Sequence, residues 1–394
     1  MIRCHLLSCA TLVAIAFCPA AALADMAPAP AAPAQTPPSM PSMSGPLAVN
    51  PNPLKFDVPD FGKLYVTGAV TALALAQNNH VAGDQNGRLD ISNGQVFLQK
   101  TDGLFQFFAE AGVYSLPSLG TPYFLASKTT DLTYGELPQG FVKLAPSDSF
   151  SVQAGKLPTL VGAEYTFTFE NMNIERGLLW NQEPAVSRGV QANYTAGPVA
   201  FSASWNDGFY SNRYNWASGA ATWTINGENT LEAVAAGSLS RTAQSSFATP
   251  ELQNNSKIYN LIYTYSSGAW TVNPYLQYTY VPQNAEIGTA HSGSTYGAAL
   301  LAKYAFDPKF SLAGRAEYIG STGSTTDGSP NLLYGTGSKA WSLTLTPTYQ
   351  YKVFFGRVDA SYVGASHTTA GSAFGTTGNN TSQSRVTFET GMLF

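Results

Sequence analysis

The sequence predicts an all-β protein, a transmembrane antiparallel β-barrel of about 16 strands, within a range of roughly 12 to 18. Three observations support this fold class: the pattern of the last strand, the alternation of short and long connections, and the composition. Tyr and Phe number 21 and 22, whereas only 11% of the residues are charged, and this balance favours strands with aromatic belts. No run after the leader approaches the roughly 18 apolar residues of a spanning helix, so a spanning structure must be a barrel.

The last ten residues, 385–394, show the strand pattern most clearly. One face is mainly apolar and carries Val386, Phe388, Met392 and Phe394. The other face is polar and carries Arg385, Thr387 and Glu389. This period of two predicts a half-buried strand. An apolar face opposite a charged one fits lipid outside a barrel and water inside it.

The connections between the predicted strands alternate in length. Short turns are predicted at residues 101–103, 147–149, 196–198, 226–229, 266–268, 307–308 and 351–352. Longer polar loops are centred near residues 79, 120, 171, 210, 249, 285, 325 and 375. These seven turns and eight loops give sixteen strands, of which the first is Leu64–Ala76. In bacterial barrels the short turns face the periplasm and the long loops are extracellular.

Three positions weaken individual strands in this scheme. Asn93-Gly94 interrupts the second strand, and a bulge or an extra hairpin there would change the count. Pro274 and Pro347 lie within predicted strands, where each removes a hydrogen-bond donor.

The first 24 residues have the features of a secretory signal peptide. They combine a basic start at Arg3, an apolar stretch and a small-residue end at residues 22–24. A lipoprotein signal ending at Cys18 is an alternative that the bulky Phe17 disfavours. All three cysteines lie within this leader, so the exported chain is expected to have no thiol.

Two further regions follow the predicted signal. Residues 25–60 are rich in Ala and Pro and predict a disordered periplasmic tail. This tail either has no partner or forms an extended arm toward the cell wall or a partner subunit. Residues 61–394 make up the predicted outer-membrane barrel domain.

Composition and motifs argue against several function classes. The net charge of −4 gives no reason to expect nucleic acid as a partner. His80, His291 and His367 have no metal-ligand spacing, and no nucleophile elbow or phosphate loop is present. We therefore predict no catalytic, cofactor-binding or metal site. A barrel enzyme such as a phospholipase or a protease is a further alternative, with an acid pair such as Glu317 and Asp359 as catalytic candidates, but lumenal carboxylates more often line pores. A lipid-hydrolysing barrel would have to lose its activity when the histidines are replaced.

Charged side chains of both signs are predicted on the lumenal faces of the strands. They are Glu110, Glu232, Lys303, Arg315, Glu317, Arg357, Asp359, Arg385 and Glu389. Such a mixed wall predicts a channel with only weak charge preference. In the alternative interpretation these charges simply pair across neighbouring strands.

The longest loop, residues 158–187, is too apolar to be freely solvated. Folding into the barrel mouth would bury its aromatic and aliphatic side chains. Its polar residues would then be candidates for a constriction: Glu164, Glu170, Asn171, Asn173, Glu175 and Arg176. Alternatively, the loop packs across the outer rim as a cap or mediates a subunit contact.

Several local motifs accompany the signal and the rhythm of strands and turns. Gly155-Lys156-Leu157 ends one strand, Gly162-Ala163-Glu164 and Asn171 follow in the loop, Arg188-Gly189-Val190 opens the next strand, and Phe394 ends the chain. In these features the chain resembles the bacterial outer-membrane porin superfamily, and more specifically its OmpL-like beta-barrel porin family. The resemblance covers roughly residues 61–394.

The resemblance implies passive diffusion of small hydrophilic solutes through a bacterial outer membrane, with no cofactor. It also implies that the barrel-assembly machinery reads the last strand, with Phe394 as the signal. The other expected partners are outer-membrane lipid and, by analogy with porins, two further copies in a homotrimer. The alternative function is that of a non-conducting barrel with an occluded lumen, acting as a surface adhesin or structural anchor.

Overall fold

The structure is a computed structural model that describes residues 45–394. The predicted signal peptide and residues 25–44 of the predicted tail lie outside these residues. Among residues 45–394, no helix combines the length and the apolar character needed to cross a membrane.

Strands dominate the described part of the chain. They are β1 Leu54–Val58, β2 Gly62–Gln77, β3 Gly87–Lys100, β4 Phe105–Tyr114, β5 Gly140–Ser147, β6 Phe150–Pro158, β7 Val186–Ala196, β8 Val199–Asn206, β9 Trp216–Asn226, β10 Asn229–Ser238, β11 Lys257–Ser267, β12 Trp270–Val281, β13 Gly293–Ala305, β14 Phe310–Ser321, β15 Lys339–Tyr351, β16 Phe354–Ser366 and β17 Ser382–Leu393. The helices are α1 Ala126–Leu132 and α2 Glu251–Asn254, and single 3₁₀ turns occur at Thr168–Glu170, Trp180–Gln182 and Ala285–Ile287.

Strands β2 to β17 form a closed antiparallel barrel of sixteen strands. Each strand pairs with its neighbours in sequence, and β17 returns to pair with β2 from Arg385↔Gln77 to Leu393↔Ala69. Beyond that point Phe394 and Gly68 exchange two backbone hydrogen bonds, both of 2.9 Å. The predicted fold class and strand count are therefore confirmed.

The short strand β1 lies outside this count. It pairs with the start of β2, from Leu54↔Val66 to Val58↔Gly62. This is the edge of β2 that β17 leaves free after Phe394. Residues 45–60 thus have defined positions, and the predicted tail of residues 25–60 is shorter at its C-terminal end than the composition suggested.

The seven predicted short turns and eight predicted long loops all fall between the observed strands. At the second strand the structure has a bulge rather than an extra hairpin: the β2–β3 register shifts between Thr71 and Leu73, opposite Asn93 and Asp90. Pro274 and Pro347 remain within β12 and β15. Each proline lacks a backbone N–H donor, but neither strand ends at its proline.

The two faces of the strands differ as expected for a barrel in lipid. Val386 and Phe388 are 53% and 44% exposed, whereas Thr387 and Glu389 are fully buried inside. Near the short-turn end, an aromatic row covers the outer face: the ring centres of Trp270 and Tyr304 are 4.7 Å apart, those of Tyr304 and Phe306 are 4.9 Å apart, and those of Phe306 and Phe310 are 5.3 Å apart. Such rows suit the boundary between lipid and water.

Candidate functional site

The third long loop, residues 159–185, lies inside the barrel. It leaves β6 after Pro158, makes two 3₁₀ turns and enters β7 at Val186. Five of its apolar side chains are almost completely buried: Phe167, Phe169, Ile174, Leu178 and Leu179 are each at most 1% exposed. The structure therefore places in the lumen the loop that the sequence marked as too apolar for solvent, because the barrel interior is where these side chains are removed from water.

Arg357 of β16 fastens the first half of this loop to the wall. Its guanidinium donates to Glu389 Oε2 on β17 at 2.9 and 2.7 Å. The same group donates to the carbonyls of Asn171 and Thr168, at 2.8 and 2.6 Å, and the Thr168 hydroxyl donates to Glu389. Charge-assisted bonds of this kind are shorter and stronger than neutral ones, so this cluster fixes the loop firmly.

Arg315 of β14 fastens the second half. Its Nη1 donates to Glu164 Oε1 at 2.6 Å and to the carbonyl of Glu175 at 2.7 Å. The neighbouring Glu317 accepts the backbone N–H of Leu178 at 3.0 Å. The remaining oxygen of Glu164 accepts the N–H of Gly177 at 2.8 Å. Arg315, Glu317 and Glu164 thereby supply hydrogen-bond partners for backbone N–H and carbonyl groups of the buried loop.

A third contact centres on Glu175. Its carboxylate accepts Arg385 Nη1 at 2.8 Å and the Thr387 hydroxyl at 3.2 Å, both from β17. Its backbone N–H donates to Asp359 of β16 at 2.9 Å. All these groups are buried. The three lumenal arginines of β14, β16 and β17 therefore hold the loop against one side of the barrel.

These contacts show what surrounds the predicted wall charges of β14, β16 and β17. Arg357 and Glu389 do pair across adjacent strands, in direct register. Arg315, Glu317 and Asp359, however, also bind the loop. Arg385 binds Glu175 of the loop and the carbonyls of Ser118 and Thr121 in the second long loop. These six charges are buried beneath the loop rather than presented to solvent.

Several predicted constriction residues are structural parts of the loop. Asn171 donates to the carbonyls of Tyr165 and Phe167, at 2.9 and 2.8 Å. Asn173 donates to the hydroxyl of Thr346 at 2.6 Å. The guanidinium of Arg176 donates to a loop carbonyl and lies 4.6 Å from the centre of the Trp180 ring, and burial lowers its pKa to about 10. Sequence reasoning identified the loop but not this internal role.

Glu170 caps the 3₁₀ turn of the loop by accepting the N–H of Phe167 at 2.8 Å. Burial raises the pKa of Glu170 well above its usual range. Glu170 and Glu164 also border a cavity of about 260 Å³ between the loop and the opposite wall. Glu232 of β10 and Asn273 of β12 line the other side of this cavity. The structure thus brings two of the six predicted loop residues together with one predicted wall residue.

The wall away from the loop is the more open half of the lumen. Its inner face carries half-buried polar side chains on β7 to β10, among them Asn193, Ser202, Thr222 and Glu232. The Thr222 hydroxyl donates to Glu232 at 2.9 Å. The polar positions that alternate with Val199, Phe201 and Trp205 along β8 were a sequence signal for this face. This polar face was not predicted as part of the lumen lining, because the sequence analysis considered only charged wall residues.

A larger cavity of about 960 Å³ lies toward the short-turn end. Its lining includes Lys143, Asp148, Ser151, Gln153 and Asn193. Asn193 belongs to both this cavity and the open polar face, so the two are continuous along β7. The lining carries charges of both signs.

A second segment in the lumen, residues 45–50, was not predicted from the sequence. Lys303, a predicted wall residue on β13, donates to the carbonyl of Pro46 at 2.7 Å. Gln350 of β15 exchanges two hydrogen bonds with the backbone of Ala48, at 2.8 and 2.7 Å. Within residues 45–394, no group of three His, Cys, Asp or Glu side chains is arranged to hold a metal ion.

Comparisons with known proteins agree with this geometry. The model of the family described as beta-barrel porin-2, OmpL-like, matches residues 63–394. No curated protein sequence matches the chain.

Solved structures share the fold at low sequence identity. An anion-selective porin from Comamonas acidovorans is 13% identical, with 84% of this chain and 99% of that chain covered and a TM-score of 0.58. The outer membrane channel DcaP of Acinetobacter baumannii is 10% identical, with 86% and 99% covered and a TM-score of 0.58. A trimer form of OmpT, an outer membrane protein of Vibrio cholerae, is 10% identical, with 84% and 99% covered and a TM-score of 0.52.

Proposed function

Because the chain belongs to the OmpL-like beta-barrel porin-2 family and is an outer-membrane porin, we propose that it is a passive diffusion channel for small hydrophilic solutes. The observation that carries this proposal is the asymmetry of the lumen. The loop of residues 159–185 is held against β14 to β17, while the inner face of β7 to β10 keeps half-buried Asn, Ser, Thr and Glu side chains. A sixteen-strand barrel is wide enough to retain an aqueous passage beside such a loop.

The passage is weakly charge-selective. Its loop side is bordered by Glu164 and Glu170, its wall side by Glu232, and its short-turn end by both Lys143 and Asp148. Glu164 is compensated by Arg315, and Glu170 is buried. Hydroxyls and amides supply most of the remaining lining, and such groups exchange hydrogen bonds with polar solutes without selecting strongly by charge. No energy-coupling or catalytic step is part of this function.

Stepwise current in a planar lipid bilayer tests the proposal. Purified, folded protein is expected to insert in discrete conductance steps and to pass small uncharged sugars in a liposome-swelling assay. A folded barrel that gives neither current nor swelling would favour the adhesin or anchor function, for which an occluded lumen suffices.

We also propose a homotrimer as the assembled state. Support comes from the trimer form of the Vibrio cholerae protein that shares the fold. A run of small outward side chains on β8 to β10, including Ala203, Gly219, Ala221 and Ala233, offers a smooth surface for close approach. Chemical cross-linking in native membranes, read as a ladder ending at three chains, tests this state.

A further inference from the structure

Residues 45–50, Gly-Pro-Leu-Ala-Val-Asn, run through the lumen without belonging to any strand. They precede β1 and contact the barrel from inside. Leu47 is 7% exposed and belongs to a cluster with Phe97, Phe108, Phe141 and Phe355. Val49 packs against the same cluster. An apolar segment is thus buried in the half of the lumen that lies toward the short turns.

The contacts of this segment reach three different elements. Lys303 on β13 binds the carbonyl of Pro46, and Gln350 on β15 binds the N–H and the carbonyl of Ala48. Gly45 lies so close to the loop that an added Cβ would overlap the carbonyl of Glu170. The segment therefore fills a space between the loop and the wall that fits its backbone and leaves no room for a side chain at residue 45.

The segment also borders the larger cavity. Phe108 and Phe141, which pack in the cluster with Leu47, line the cavity of about 960 Å³. Removing the segment would join the volume that it occupies to this cavity. The short-turn mouth of the channel would then be wider.

The segment is held much less firmly than the loop. The loop is fixed by three buried arginines, whereas residues 45–50 are held by one lysine bond to a carbonyl, one side-chain amide and the side chains of Leu47 and Val49. The two neutral bonds of the Gln350 amide contribute little net free energy and the bond of the Lys303 ammonium contributes somewhat more, while ordering six residues has a large entropic cost. The favourable contacts of residues 45–50 are therefore nearly offset by the entropic cost of ordering them. Releasing the segment from its site has a small free-energy cost.

We propose that residues 45–50 are a releasable plug that narrows the short-turn mouth of the channel. The plug rests on the proposed channel function, since it regulates the same passage.

A disulfide lock tests the plug. Cys4, Cys9 and Cys18 all precede residue 25, so the exported chain expected after signal cleavage has no native thiol. In the double variant A48C/Q350C, the oxidised form ties the plug to β15, while the reduced form lacks the Gln350 amide and both of its hydrogen bonds. We expect single-channel conductance to rise about twofold on reduction, since a wider mouth carries more current. The single variants A48C and Q350C should not respond to oxidant.

A second variant uses the tight fit at Gly45. In Gly45→Val the side chain has no space beside Glu170, so the plug should leave its site and the conductance should match that of the reduced double variant. The plug is overturned if conductance is the same with the lock closed and open, or if Gly45→Val leaves the conductance at the wild-type value. The complete absence of current from every variant would instead contradict the channel function itself.

Discussion

Arg357 and Glu389 face each other across β16 and β17, and the carboxylate also accepts the hydroxyl of Thr168 from the lumenal loop. One buried ion pair thus joins two wall strands and the loop. In Arg357→Met the carboxylate would remain buried without its cation, and the loop carbonyls of Asn171 and Thr168 would lose their donor. We expect a loss of about 3–5 kcal/mol in the free energy of unfolding, measured by urea titration of the folded barrel.

Two comparisons sharpen that prediction. Lys143→Met removes a half-buried lumenal cation that has no ion pair within residues 45–394, so it should change stability little. The double variant R357M/E389L removes both charges and should recover part of the loss, because an apolar pair can replace a buried ion pair. Equal losses in the lysine variant and the arginine variant would contradict the anchoring role.

At Gly177 the loop backbone passes close to the wall. A Cβ there would overlap the carboxylate of Glu317, which also accepts the N–H of Leu178. Gly177→Ala should therefore lower stability by about 1–3 kcal/mol through overpacking. Gly227, in the turn between β9 and β10, has no heavy atom within 4 Å of the same position, and Gly227→Ala should stay within about 0.5 kcal/mol of wild type.

Glu232 is the charged wall residue beside the passage. Glu232→Lys reverses that charge and should move the reversal potential in a salt gradient toward anion preference. Glu286→Lys makes the same change in charge on an exposed residue of an outer loop. This variant should shift the reversal potential much less. If both variants shifted the potential equally, the effect would come from overall charge rather than from the passage.

Asp84 connects an outer loop to the barrel rim. Burial opposes its charge, but hydrogen bonds from the N–H of Tyr123, the side chain of Gln77 and the N–H of Gln85 hold the pKa of Asp84 below its usual value. A depressed pKa in the folded state adds stability above the unfolded-state pKa, and this stability is lost as the pH falls through the folded value. Asp84→Asn should thus be less stable than wild type at pH 7, and the difference should shrink under strongly acidic conditions.

Phe394 closes the barrel seam through its two hydrogen bonds with Gly68. Phe394→Ala should reduce the amount of folded barrel that assembles in the outer membrane, measured as the heat-modifiable band on an unboiled gel. Phe388→Ala, on the lipid-facing side of the same strand, removes the same ring but keeps the last residue. Similar yields from both variants would contradict a special role of the last residue.

The strands and turns could be predicted because their signals are local. The alternation in residues 385–394 and the turn residues at 226–229 depend only on neighbours in sequence. The loop could be recognised as buried from its apolar composition. Its anchoring could not, because Arg357 and Asn171 are 186 residues apart and Arg315 and Glu164 are 151 residues apart.

The segment at residues 45–50 was missed for a related reason. Its Ala- and Pro-rich neighbourhood indicates an extended chain without a core of its own, and that description is correct for an isolated peptide. The site that receives Leu47 and Ala48 is built by β13, β15 and the aromatic cluster, more than 250 residues away for the two polar contacts. The composition of a segment cannot predict a binding site that is built by residues so distant in sequence.

The strand β1 affects how readily the protein aggregates. Without it, the start of β2 beyond Phe394 would present unpaired N–H and carbonyl groups, a template on which another barrel could add its own strand. β1 covers that template and becomes the free edge itself, but it has only five residues, and these include Lys55 and Asp57. A short, charged edge resists strand addition. β1 therefore protects folded copies of the protein from aggregating edge to edge.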